Sequence, residues 1–236
     1  MVHIKNLSTP LHEWNLEPSL AIKLQSELAA QVIRRDQLPD EVRNIAGVDM
    51  AINEENGMAR AAVVLLSYPA LEIVERHIYE EPLRMPYIPG LLSFREIPCI
   101  MGAFAQLRQL PELVMVDGQG IAHPRYLGIA AHLGLWLDLP TIGCAKSILR
   151  GHYDEAALGQ EAGAQVPLIY KRDVVGAVIR TRSRVKPMII SLGHRISLET
   201  SVRYVFECCK GYRLPEPTRQ ADKLSKTFSQ THLTQP

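Results

Sequence analysis

Residues 45–80 read IAGVDMAINEENGMARAAVVLLSYPALEIVERHIYE, and this stretch decides the fold. It divides into three strand-like segments, 45–52, 59–68 and 71–80, with turn signals at Gly57 and Pro69 between them. Connections this short join antiparallel neighbours, so a three-stranded meander is expected. Alternation along the first segment puts Ile45, Gly47, Asp49 and Ala51 on one face. Ala46, Val48, Met50 and Ile52 take the other.

Beyond the meander the pattern changes. Pro82, Pro86, Pro89 and Gly90 read as an irregular loop, followed by a helix from near Pro98 to Leu110. The wholly apolar run 113–116 is the kind of strand buried on both faces. A helix over 126–137 and a strand over 141–145 then complete a βαβ unit. Strands are expected at 166–170, 174–180 and 188–192, the last two forming a hairpin around the basic tip 180–186. Ahead of the meander, Leu20, Leu24, Leu28 and Val32 mark a helix over 16–35. Helices over 197–209 and 218–228 close the chain, and the tail from 229 is expected to fray. This order argues for a mixed α/β sheet, its first three strands antiparallel, helices on both faces, in a single domain spanning 1–236.

Composition narrows the class. Of 236 residues, 47% are hydrophobic and 22% charged, too apolar for a disordered chain. The longest aliphatic run, 61–66, falls far short of the roughly 20 residues a membrane span needs. The first residues lack the charged start and apolar stretch of a secretory signal, which points to a cytoplasmic monomer with no membrane partner. The four cysteines, at 99, 144, 208 and 209, show no CxxC spacing and read as free thiols in a reducing compartment. The net charge of +1 conceals an asymmetry. Residues 171–226 carry 13 Lys and Arg against 5 Asp and Glu, and the remainder carries 13 against 20. A basic third beside an acidic remainder suits a polyanion held next to a carboxylate site, although a solvated face gives the same count.

Several residues carry chemistry. Asp49 sits in the middle of an apolar strand, where an acid costs several kcal/mol unless paired or bound to metal. Asp117 ends the strand run and opens Gly118-Gln119-Gly120, and ligand sites in α/β sheets lie beyond such strand ends. A turn aspartate would look the same. Glu96 follows Ser93 at capping-box spacing, but Pro98 argues for a helix that begins later and leaves Glu96 free. Asp222 borders the apolar stripe of the last helix and also stands four residues from Lys226, so a surface ion pair is an open alternative. His123 and Lys146 follow the glycine loop and the strand 141–145, where either could meet a phosphate. Carboxylates without a Cys/His cluster suit Mg²⁺ and fit zinc badly.

Six motifs carry a resemblance. VDMAI from Val48, PYIPGLLSFRE from Pro86, VDGQGIAHPRYLGIA from Val116, PTIGCAKS from Pro140, SLGHRISLETS from Ser191 and RLPEPTRQAD from Arg213 together resemble the endonuclease V family over nearly the whole chain. The resemblance implies a ribonuclease H-like fold and a Mg²⁺-dependent nuclease, with Mn²⁺ able to substitute. It implies a nick at the second phosphodiester bond 3′ to deoxyinosine, leaving 5′-phosphate and 3′-hydroxyl ends. By motif, Asp49, Glu96 and Asp117 match the catalytic carboxylates, His123 and Lys146 match further active-site positions, and Asp222 is a less constant ligand. Pro86, Tyr87, Ile88 and Pro89 match a wedge inserted at the lesion. Leu92, Ile129 and Leu149 are implied to line a base pocket, with backbone at Gly118 and Gly120 reaching the base. Arg180, Arg182, Arg184, Lys186, Arg203, Arg213 and Arg219 are expected, on charge alone, to grip phosphates. The alternatives are an inosine-specific endoribonuclease, a structure-specific nuclease of the same fold, and a binding module without activity.

Overall fold

The computed structural model describes residues 10–227, so the expected frayed tail lies outside the described residues. The chain runs α1 (Pro18–Ala29), β1 (Asn44–Asn53), β2 (Met58–Ser67), β3 (Ile73–Pro82), α2 (Leu92–Phe104), β4 (Leu113–Val116), α3 (Ile129–Leu137) and β5 (Thr141–Ala145). It continues through β6 (Gln165–Tyr170), β7 (Asp173–Ile179), β8 (Met188–His194), α4 (Leu198–Glu207) and α5 (Glu216–Ser225). Eight strands make one sheet in the order β3-β2-β1-β4-β5-β8-β7-β6. The meander is antiparallel as expected. β1, β4 and β5 run parallel, with α3 as the crossover from β4 to β5. The strands β5-β8-β7-β6 are antiparallel, which includes the expected β7–β8 hairpin. No helix among the described residues is long and apolar enough to cross a membrane.

The alternation read along β1 sorts its residues between two apolar layers. Ala46 and Val48 join Val63 and Val116 against Ile97, Ile100 and Phe104 of α2. Ile45 joins Val64, Met115 and Ile142 on the opposite side, with Val205 of α4 and Ala221 of α5. Gly47 lies directly under α5. A Cβ there would sit 1.9 Å from the Pro217 carbonyl oxygen, so the helix seats on the strand only because this residue is glycine. That close approach brings Asp222 toward Asp49.

Two helices differ from expectation. α2 starts at Leu92 and carries Pro98 inside it, so Glu96 is a helical residue, not one just upstream of a helix. A proline there removes one ladder bond and typically costs ~3 kcal/mol. Burial of Phe94, Ile97, Ile100 and Phe104, each at most 2% exposed, outweighs it. Ser93 is not the cap; its hydroxyl pairs with His132 Nδ1 at 2.9 Å. α1 is shorter than the apolar spacing suggested and ends at Ala29. Its buried face is Ala21, Gln25 and Leu28, while Leu20 is 54% exposed. A strict four-residue step drifts about 40° per repeat around a 3.6-residue helix, so such a row cannot all face inward.

Candidate active site

Parallel pairing of β1 with β4 sets Val48 beside Val116, and the Asp117 N–H continues the ladder to Val48 O at 3.0 Å. Asp117, just past the end of β4, is thus the neighbour of Asp49 in the middle of β1, and open α/β sheets place their ligands beyond such strand ends. Asp222 arrives from α5. One carboxylate oxygen from each of the three lies within 4.8 Å of the others. Lys146, the first residue after β5, places Nζ 2.5 Å from Asp117 Oδ2 and 2.8 Å from Asp222 Oδ1. The surface pair foreseen for Asp222 also exists, with Lys226 Nζ at 2.7 Å. Asp222 therefore serves both arrangements. Ser225 Oγ donates to Asp49 Oδ2 at 2.5 Å.

The charges are mutually dependent. Burial pushes the Asp49 carboxyl up to about 6, and Asp117 and Asp222 add to that push, while the Ser225 hydroxyl and Lys146 oppose it. Glu96 lies outside the 4.8 Å group but feels it. Burial, with Asp49 and Asp117, pushes its carboxyl up to about 8 against the pull of Arg95. Burial works against the charge on Lys146, but bonds to Asp117 and Asp222 prevail and hold it above its ordinary value. Burial likewise opposes the Asp222 charge, and bonds from Lys146 and Lys226 lower its carboxyl overall. Converging oxygen donors with no sulfur or imidazole among them fit a hard divalent cation. Such an ion would relieve the repulsion that raises Asp49.

The loops that carry Asp117 and Lys146 also line a cavity of about 80 Å³, part of it open to solvent. Leu92, Ile129 and Leu149 line it, with Tyr87, Ser93 and Gln119. His123 lines it too and is buried. The structure places His123 in this wall and not in the carboxylate group. Burial and Arg125 push its imidazole down to about 4, so it is neutral at neutral pH. Three chain segments supply both halves of the site. α2 gives Ser93 and Glu96, the loop after β4 gives Asp117 and Gln119, and the loop after β5 gives Lys146 and Leu149.

Gly118 and Gly120 do not face the cavity with open backbone. A Cβ on Gly120 would lie 2.0 Å from Leu192 O, and its N–H donates to Ser191 Oγ at 2.7 Å. A Cβ on Gly118 would lie 2.5 Å from the Ile129 side chain. These glycines let the loop pack on the protein, and Gln119 between them meets the cavity.

In the proline loop, Pro86, Tyr87 and Pro89 are exposed, while Ile88 packs against the cluster of Leu91 and Phe94. Ile88 thus anchors the loop and Tyr87, 60% exposed, stands at the cavity mouth. The loop ends at Gly90, whose carbonyl accepts from Gln25 Nε2 at 2.9 Å and Arg125 Nη2 at 2.8 Å. Arg125 Nε donates to Gln25 Oε1 at 2.6 Å and closes the triangle. Sequence reasoning missed Gln25, Arg125, Gln119 and Ser225. For Gln25 a signal existed: it is a polar residue in the inward row with Ala21 and Leu28.

The basic residues divide. Arg182, Arg184 and Lys186 are exposed, as a phosphate grip requires. Arg180 is buried, with its guanidinium on the Gly159 and Val185 carbonyls. Arg213 binds the Lys146, Lys186 and Pro187 carbonyls, each at 2.8 Å. Arg219 forks onto Glu216 and stacks over Tyr212, and Arg203 stacks over Tyr204. A guanidinium whose donors are already bonded internally has little left for phosphate, which corrects the expectation for Arg180, Arg213 and Arg219, whereas Arg203 is exposed with one contact to Glu207 at 3.5 Å.

Comparison with known proteins follows the same lines. The chain matches the family profile described as Endonuclease V over residues 26–223. It is 54% identical over 220 residues to an endonuclease V of Gloeobacter violaceus, covering 92% of this chain and 89% of that protein. The crystal structure of an endonuclease V from Streptomyces avermitilis superposes with a TM-score of 0.85 at 38% identity, over 90% of this chain and 92% of that one. Ciona intestinalis endonuclease V, solved with a 24mer DNA containing an inosine followed by a ribo-adenosine, gives a TM-score of 0.77 at 29% identity, over 88% and 95%. The expected ribonuclease H-like fold holds.

Proposed function

Because this chain belongs to the endonuclease V family, we propose that it nicks nucleic acid beside inosine, using the three-aspartate group as a divalent metal site and the adjoining cavity as a base pocket. The observation that carries this reading is the shared construction of the two halves. The same three segments that bring Glu96, Asp117 and Lys146 to the acids bring Ser93, Gln119 and Leu149 to the cavity. A base held in the cavity would therefore hold the strand that follows it next to the carboxylates, as orientation-dependent catalysis demands.

Asp49, Asp117 and Asp222 would hold Mg²⁺ or Mn²⁺, with Glu96 a further ligand directly or through water. The bound ion supplies positive charge to the phosphate and eases deprotonation of water. The chain's residues do the rest. Lys146 offsets charge at the phosphate from its place between Asp117 and Asp222. Ser225 keeps the Asp49 carboxylate oriented. His123, neutral and in the cavity wall, contacts the extruded nucleotide; orienting the attacking water would require reach from that wall to the acids. Tyr87 fills the space the base leaves, on a loop that Pro86 and Pro89 stiffen and Gly90 anchors. Extrusion costs a few kcal/mol, less for a mispaired base, which favours lesions over intact pairs.

The reaction would cut the second phosphodiester bond 3′ to deoxyinosine, giving 5′-phosphate and 3′-hydroxyl ends, and would begin removal of deaminated adenine. Cleavage-position mapping on matched inosine DNA and RNA strands tests it. A single Mg²⁺-dependent nick at that position in DNA supports the reading. Exclusive cutting of RNA would reassign the enzyme as an endoribonuclease, since the 2′-hydroxyl decides such preferences. Cutting at flaps or junctions without inosine would make it a structure-specific nuclease.

A further inference from the structure

Among the described residues, three buried side-chain polar atoms have no hydrogen-bond partner: Arg95 Nε, Arg195 Nε and Gln119 Oε1. Only Gln119 belongs to the cavity wall. Of the other polar side chains in that wall, Tyr87 is exposed and the buried Ser93 and His123 are engaged. Ser93 Oγ pairs with His132 Nδ1, and His123 Nδ1 accepts from the Arg125 N–H at 3.2 Å.

The orientation of the Gln119 amide is fixed by chemistry. Its Nε2 donates to Ser147 O at 2.8 Å. A carbonyl can only accept, so the amide nitrogen must face Ser147 and the oxygen must face away. That oxygen is an acceptor without a donor, in a residue only 9% exposed. A buried acceptor left unmatched is costly, so water, an ion or a ligand group completes it in the working protein.

We infer that the Gln119 carboxamide oxygen reads the N–H at position 1 of the purine in the cavity. The inference rests on the proposed base pocket and names the group that discriminates there. Hypoxanthine carries N1–H and satisfies the oxygen. Adenine presents a lone pair at N1, so two acceptors would face each other and both would stay unpaired. Guanine also carries N1–H, so Gln119 separates inosine from adenine and leaves exclusion of the 2-amino group to the shape of the wall. A single group thus distinguishes the product of adenine deamination from its parent.

The test is equilibrium binding by fluorescence anisotropy in EDTA, where the nick is not expected. Matched duplexes carry inosine, adenine or 6-methoxypurine at one position. The last keeps an oxygen at position 6 and lacks N1–H. Wild type should bind inosine roughly tenfold or more tightly than 6-methoxypurine. Gln119→Met, of similar length and without the acceptor, should lose that margin and leave adenine and 6-methoxypurine affinities unchanged. Full retention of the margin by Gln119→Met overturns the inference. Equal weakening on all three duplexes also overturns it, because that marks Gln119 as a prop for the Ser147 loop. Equal binding of inosine and 6-methoxypurine by wild type overturns it without need of a folded variant. Equal binding of inosine and adenine by wild type would instead remove the base pocket itself, and the inference with it.

Discussion

Ser225 Oγ and Asp49 Oδ2 lie 2.5 Å apart, which fastens α5 to β1 one turn after Asp222. The hydroxyl lowers a carboxyl that burial and two neighbouring aspartates raise to about 6. Removing it in Ser225→Ala takes away a bond to a charged group, typically worth about 1.5–3 kcal/mol. The Asp49 carboxyl should rise further, so the acid limb of the pH–rate profile should move to higher pH. Nicking at neutral pH should fall roughly tenfold. An unchanged limb would show that the bond does not tune the site.

Glu96 gives a stability prediction with a definite sign. Its folded-state carboxyl is pushed up to about 8, above the ordinary glutamate value of 4.5. A raised acid contributes stability at low pH that is lost as pH climbs through the folded value. The buried His123, His132 and His194 and the half-buried His12 are lowered and work the other way, but only below their ordinary value of 6.5. Between pH 6.5 and about 8 the Glu96 effect stands clear. Metal-free protein should lose about 1 kcal/mol across that window. Glu96→Gln should flatten the loss, as read from thermal midpoints in EDTA.

Gln25 and Arg125 both hold the Gly90 carbonyl and each other. Gln25→Leu keeps the volume and leaves both partners short of a bond, at a cost of about 1–3 kcal/mol. Hydrogen exchange should quicken in the proline loop before any change near β5. Preference for inosine duplex over plain duplex should drop several-fold. Unaltered exchange in the loop would show that Ile88 alone anchors it.

The basic hairpin separates two roles. Arg182, Arg184 and Lys186 are exposed, and replacing all three by Ala should weaken DNA binding and reduce the salt slope by up to about 1 per residue. Arg180→Ala should leave the slope nearly unchanged and lower the thermal midpoint, because its guanidinium ties Gly159 to Val185. Binding isotherms at several salt concentrations distinguish the two variants.

How much of this was legible beforehand follows from the range of each interaction. The meander and the βαβ unit are local patterns, and segments 45–52, 113–116 and 141–145 returned within two residues of their expected ends. Asp49 and Asp117 were readable as acids at revealing places on strands. Glu96 was identified but its setting was misjudged, because Pro98 speaks against a helix locally while Ile97, Ile100 and Phe104 settle the matter through contacts with distant strands. The same limit applies to the arginines. Charge counting cannot tell Arg182, which faces solvent, from Arg180, whose partners are carbonyls 21 and 5 residues away. Gln119 was quoted within a motif, but its unpaired oxygen exists only once Ser147 is in place.

The most direct test of the metal site is a Mn²⁺-binding isotherm for wild type and Asp117→Asn at pH 7.5. Convergence of Asp49, Asp117 and Asp222 predicts saturable binding by wild type and at least a roughly tenfold loss in the variant with the fold intact. Equal affinity in the two proteins would contradict it.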